Sequence, residues 1–148
     1  MALFNVDFPD DFLSELFGAN FEEIAEAALN EAAPILEKSV KKECASVIEH
    51  EDVSEVVESI KAGKAKRTKT DAFIVNVAPK GYSKTKTYKH QKSGRSYPVS
   101  NALKMIWKEY GIPGRQAPRP FLDVACDNVR NEVIEKMQEV FDGKVDTK

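Results

Sequence analysis

Lys64, Lys66, Arg67, Lys69, Lys84, Lys86, Lys89, Lys92 and Arg95 are interleaved with Tyr82, Tyr88 and Tyr97, and no other stretch of comparable length gathers so many cations with so few carboxylates. Cations at that spacing neutralise phosphates, and tyrosine rings offer faces on which bases stack. One chemistry open to this segment is therefore contact with a nucleic-acid backbone, as in a small nucleic-acid-binding accessory protein using residues 61–95. No nucleic-acid motif accompanies it, however, and much of the remaining chain is acidic. The plainer reading is a solvated loop, or one that pairs with an acidic neighbour.

The net charge of −2 conceals this segregation. Residues 1–60 hold three Lys/Arg against fifteen Asp/Glu, a balance of −12, whereas residues 61–95 hold eleven Lys/Arg and only Asp71, a balance of +10. Residues 96–148 balance at eight and eight. Such blocks speak of partners rather than of fold, and they can also neutralise each other within a subunit or between neighbours.

Catalytic patterns are missing from the primary structure. His50 and His90 stand forty residues apart in polar surroundings, and no HExxH, CxxC or paired Cys/His spacing occurs, so no metal site and no cofactor is expected. The Gly63-Lys64 pair lacks the upstream glycine and the Lys-Ser/Thr ending of a phosphate-binding loop. There is no GxSxG elbow, and Cys44 and Cys126 have no histidine beside them. Both fall on apolar helical faces and read as buried, reduced thiols. Asp7, Asp10 and Asp11 suit a helix start and solvation better than a cation site. The expectation is a protein that is not an enzyme.

The elements that would position the basic segment follow from apolar spacing. At 148 residues the chain reads as one domain of 1–148, with its core in about 20–142, a basic hairpin or loop over 79–98 and a loose tail over 143–148. A short helix is expected around Phe12–Phe17. A long amphipathic helix follows through Phe21, Ile24, Ala28, Ala32, Ile35, Leu36, Val40, Cys44 and Val47, kinked or divided at Pro34. Asp52 and Glu55 suggest a capping box for a helix carrying Val53, Val56, Val57 and Ile60 and stopped by Gly63. Phe73, Val75 and Val77 alternate as a strand, with the lysine-rich 64–69 segment as a solvated edge strand beside it. Ala102, Met105, Ile106, Trp107 and Tyr110 have helical spacing, with a strand as the live alternative. The last helix carries Leu122, Ala125, Cys126, Val129, Val133, Met137, Val140 and Phe141, ending at Gly143. Helices, a small antiparallel-type sheet with a long basic hairpin, then helices again make an α+β protein. No run approaches the length of about 18 apolar residues that a membrane span needs, and the first residues do not read as a signal peptide.

Between the last two helical patterns lies "KEYGIPGRQAPRPF". Gly111 suits a left-handed helix terminus, and Pro113-Gly114 has the order of a type II turn. Pro120 fits the first helical position, with Arg119 before it held extended. Glu109 is placed to bridge to Arg115 and Arg119 across the turn. Phe121 then opens the buried stripe.

In these residues the chain resembles the minor tail, or head–tail joining (tail-completion), proteins of tailed phages. In that family a Glu-Tyr/Phe-Gly segment, here Glu109, Tyr110 and Gly111, precedes a variable turn, and Arg-Pro-Phe, here Arg119, Pro120 and Phe121, opens the last helix. Ile112 departs from the small polar residue usual after the glycine. Ser59-Ile60 matches a short helix before the first strands, and "EIAEAALNEAAPILEKSVKKE" matches an Ala-rich first helix, so the resemblance spans roughly residues 20–142. It implies a non-catalytic structural protein of α+β fold in the virion of a phage or prophage, assembled in the bacterial host cytoplasm. Its partners would be copies of itself, as a ring such as a hexamer, and other neck and tail proteins.

Overall fold

A computed structural model describes residues 2–6, 21–48 and 53–145. The helix expected at 12–17, the carboxylates Asp7, Asp10, Asp11 and Asp52, His50 and the tail beyond Val145 lie outside the described residues. The fold is α+β. Strand β1 (Ala2–Val6) is followed by helix α1 (Phe21–Val47), one π-helical turn (Val53–Val57) and strands β2 (Ile60–Ala62), β3 (Lys66–Arg67) and β4 (Phe73–Pro79). Then come β5 (Tyr82–Lys89), β6 (Ser96–Ser100), α2 (Asn101–Tyr110) and α3 (Leu122–Val145).

β4 is the centre of the main sheet. β1 runs antiparallel along one side, from Ala2 opposite Val77 to Val6 opposite Phe73. On the other side β2 and then β3 take successive halves of β4, with Ala62 opposite Val77 and Lys66 opposite Ile74. The expected alternation holds: Phe73, Val75, Val77 and Pro79 are buried while Asn76 is exposed. Two-residue periodicity sends one apolar row toward α1, where Phe73 meets Phe21 edge-on with ring centres 6.1 Å apart.

α1 runs unbroken through Pro34. The proline is on the exposed side, where water can satisfy the carbonyl it leaves free. The helix's apolar stripe has two ends. Phe21, Ala25, Leu29 and Ala33 face β4, while Leu36, Val40 and Cys44 pack with Ile60, Met105, Phe121, Leu122 and Ala125. α3 lies against α1, and the Ser39 hydroxyl donates to the Ala125 carbonyl at 2.7 Å in the buried seam.

Two element assignments differ from expectation. Residues 53–63 do not form one capped α-helix: a single π-helical turn gives way to β2, and Ile60 is fully buried as a strand residue opposite Pro79. The β-branched run Val53, Val56, Val57 and Ile60 supports extended structure once β4 offers a ladder. Nor does Gly143 stop the last helix, which continues to Val145. Among the described residues, no atom beyond the helix's own neighbouring backbone lies within 4 Å of a Cβ placed at Gly143, so no close approach seen there demands glycine.

Candidate functional site

The basic hairpin forms, as β5 and β6, and it is a two-stranded ribbon separate from the main sheet. Tyr88 pairs with Tyr97 and Lys89 with Ser96, with an irregularity between Tyr82 and Thr87. At the tip, His90 N–H donates to Arg95 O and Gly94 N–H to His90 O, both at 2.8 Å, and Gly94 takes a positive φ of 66°. The Tyr88 and Tyr97 rings stack across the strands at 5.9 Å, and His90 meets Tyr97 edge-on. Lys84, Lys86, Lys89, Lys92 and Arg95 are all exposed. Lys64, Lys66, Arg67 and Lys69 belong instead to the edge of the main sheet, so the basic segment divides into two groups. Arg67 is already committed there, to Asp71 at 2.9 Å and Glu22 at 3.5 Å.

What holds the ribbon is a latch at its base. Glu55, on the π-helical turn, accepts from Lys104 Nζ at 2.8 Å, from Ser83 Oγ at 3.0 Å and from the Lys84 N–H at 3.0 Å. These three donors, the Lys104 ammonium foremost, hold the Glu55 carboxyl down at about 2. Ser83 Oγ in turn accepts from the N–H groups of Thr85 and Lys86, which fixes the irregular start of β5. Asn101 adds a second tie, donating from its backbone to Gly81 O and from its side chain to Lys80 O.

α2 carries this latch by turning its polar residues inward. Asn101, Lys104, Met105, Lys108 and Glu109 are its buried positions, whereas Ile106 and Tyr110 are 39% and 69% exposed. The apolar face expected from Ala102, Met105, Ile106, Trp107 and Tyr110 is therefore only partly the buried one. The spacing was helical, but the side facing the body carries two polar contacts, the Lys104–Glu55 ion pair and the Glu109 carboxylate on backbone N–H groups, beside Met105. Ser100 caps the helix through Leu103 N–H.

The second contact organises the hinge. Glu109 does not bridge to Arg115 or Arg119. Its carboxylate accepts from the N–H groups of Phe121 and Leu122 at 2.8 and 3.2 Å, so it caps α3 from outside that helix. Phe121 occupies the N-cap position, since its carbonyl takes the first helical bond from Ala125 N–H. Pro120 thus precedes the cap rather than standing at the first helical position. Arg119 is exposed and contributes through its backbone, donating to Lys108 O at 2.7 Å.

Gly111 has φ 76° and ψ −179°, a conformation open to glycine alone rather than the left-handed helical one expected. A Cβ there would lie 2.7 Å from Gln116 O and 2.8 Å from Pro118 N. Pro113 followed by Gly114 at φ 71°, with Arg115 N–H bonded to Ile112 O, meets the requirement of a type II turn.

Cys44 is fully buried, its thiol pushed up to about 11 by burial. Cys126 is half-buried, and burial together with the carboxylates of Asp123 and Asp127 raises its pKa as well. Both are free thiols, and both are held away from the reactive thiolate form. Among the described residues no group of three or more His, Cys, Asp and Glu is placed to hold a metal ion, and no helix is long and apolar enough to cross a membrane.

Sequence reasoning found the ribbon, the hinge and Glu109, but it missed Lys104, Ser83 and Asn101; the capping box it gave Glu55 involves Asp52, outside the described residues. The one available signal was the helical face shared by Lys104 and Lys108, beside the one shared by Met105 and Glu109, each pair one turn apart. Comparisons with protein-family models, with curated proteins and with solved structures found no match to this chain.

Proposed function

We propose that this chain is a non-enzymatic structural subunit of a tailed bacteriophage or prophage, acting in head–tail joining or tail completion by assembling with copies of itself and with neighbouring neck and tail proteins. The observation that carries this reading is the Glu109–Phe121 bond. The two halves of the motif on which the resemblance rests, Glu109-Tyr110-Gly111 and Arg119-Pro120-Phe121, are the two sides of one joint. That joint sets the angle of α3 against the body, as a subunit needs if it is to present constant edges to its neighbours.

Two surfaces support it further. The ribbon stands outside the main sheet, and Ile106 and Tyr110 face solvent beside the hinge turn, where an open cleft of about 470 Å³ is lined by Tyr110, Ile112, Pro113 and Pro118. Aromatic and aliphatic side chains exposed beside a rigid turn have the composition of an interface centre. In this reading the working form is a ring, such as a hexamer, in the neck or tail of the virion.

Deletion of the coding sequence from its prophage tests the proposal. Electron microscopy of the induced lysate should show filled heads and tails that fail to join, or tails with unfinished ends, and complementation in trans should restore whole particles. Normal, infectious particles from the deletion strain would overturn it.

A further inference from the structure

We propose that the β5–β6 ribbon of one copy docks on the acidic flank of α3 of a second copy. The inference rests on the assembly reading above, for which it names the contacting surfaces.

Among the described residues, no helix or second sheet covers the outer part of the ribbon. Its described residues are exposed except near the base, where Ser83 and Val99 are buried. Two strands alone are marginal in water, and here the latch fixes one end only. Toward the other end the ribbon offers the stacked Tyr88 and Tyr97, 45% and 40% exposed, while Tyr82, 66% exposed, stands at the base opposite Ser100. Such rings bring large contact area at small cost in side-chain freedom.

Charge decides between partners. From Ala72 to Lys108 the sequence has no carboxylate, and residues 80–100 hold six Lys/Arg. The remainder of the chain holds sixteen Lys/Arg against twenty-four Asp/Glu, a balance of −8. A nucleic acid drawn to the ribbon must also approach that negative body. A second copy brings the same negative body as the ribbon's counterpart.

On the body, the flank is on α3. Glu132, Glu135, Glu139 and Asp142 recur at steps of three, four and three along one exposed side, and Val124 and Ile134, about half exposed, are also on the solvent side of the helix. Lys38 and Lys42 of α1 stand with Glu132 along the groove between the helices, so the net acidic part runs from Glu135 to Asp142. Lys136 meets Glu139 at a loose 3.4 Å on the surface, a contact a ribbon cation can replace. Ribbon and flank are different patches, so the contact is head-to-tail and propagates until it closes.

Two variants test it: Lys89→Glu/Lys92→Glu/Arg95→Glu on the ribbon and Glu135→Lys/Glu139→Lys/Asp142→Lys on the flank. None of the six positions touches the latch or the hinge, and circular dichroism verifies that both variants fold. In sedimentation velocity the wild type should self-associate at low salt and weaken at least roughly tenfold at about 0.5 M salt. Each variant alone should be monomeric, and an equimolar mixture should associate, because the reversed ribbon meets the reversed flank and the unaltered ribbon meets the unaltered flank. Wild type that stays monomeric at every concentration and salt overturns the proposal, as does a mixture of folded variants that stays monomeric. It is also overturned if the wild type binds a short mixed-sequence duplex DNA, ribbon reversal abolishes that binding, and self-association is unchanged. Restored association in the mixture without a particle defect on deletion would keep the contact and remove the phage setting. A joining defect with a monomeric mixture would do the reverse.

Discussion

Glu109 and Glu55 both reach from a helical turn to the backbone of a later segment, yet they join very different parts. Glu109 is buried, and the bonds it makes are to two peptide N–H groups at the start of a helix that itself enters the core at Phe121. Glu55 is partly exposed and bound to a buried ammonium, and what it holds is a ribbon with almost no core of its own. A joint supported by packing can rely on dipoles and shape. A joint to a polar arm has no apolar area to draw on, so it uses a full ion pair with two further donors. The body is therefore rigid through burial, and the ribbon is aimed through charge.

Breaking the packed joint should have the largest effect. Gly111→Val forces a side chain into a glycine-only conformation and into the Gln116 and Pro118 backbone, so a loss of at least about 3 kcal/mol is expected in chemical denaturation, with poor soluble yield. Gly114→Ala, at a similar φ but with open space around it, should lose only about 1 kcal/mol. Next in size, Glu109→Ala leaves two N–H groups at the start of α3 unanswered and should cost about 2 kcal/mol. Glu109→Gln, whose amide oxygen still accepts, should cost about half of that.

The latch should respond more locally. Glu55→Gln should speed amide exchange in 82–89 while leaving α1 and β4 protected, and equal protection in both regions would remove the distinction drawn between the joints. Acid should do the same. With the Glu55 carboxyl lowered from its ordinary 4.5 to about 2, its contribution is complete above about pH 4.5 and is lost as pH falls toward 2. Carboxyl-carbon NMR should show that titration, with the ribbon amide shifts following it. The smallest effect belongs to Arg119→Ala, within about 0.5 kcal/mol, because the exposed side chain leaves the Arg119–Lys108 backbone bond untouched.

Legibility followed the same division. α1, α3 and β4 could be read because burial writes a period into the sequence, and the ribbon because lysines, tyrosines and turn residues cluster between two prolines. The π-helical turn and β2 could not, because Val53–Ile60 has apolar residues that satisfy a helical or an extended pattern, and β4 decides between them. The orientation of α2 was hidden for a related reason. Ile106 and Tyr110 look like core by type, but a buried Lys104 and Glu109 win when each has a partner forty-nine and twelve residues away, respectively. Pairings at that distance leave no periodic trace, so Glu55 looked like a local cap and Glu109 like the partner of nearby arginines.

The seam between α1 and α3 also has a consequence for synthesis. Ser39 and Ala125 are bonded across eighty-six residues, a stretch that takes roughly 4–17 s to translate. Throughout that interval the nascent chain holds out an apolar stripe through Leu36, Val40 and Cys44 whose final cover does not yet exist, while the ribbon, whose pairing is local, can already close. A ribosome stalled before residue 122 would therefore display a body whose apolar stripe lacks its cover, a form suited to chaperone capture.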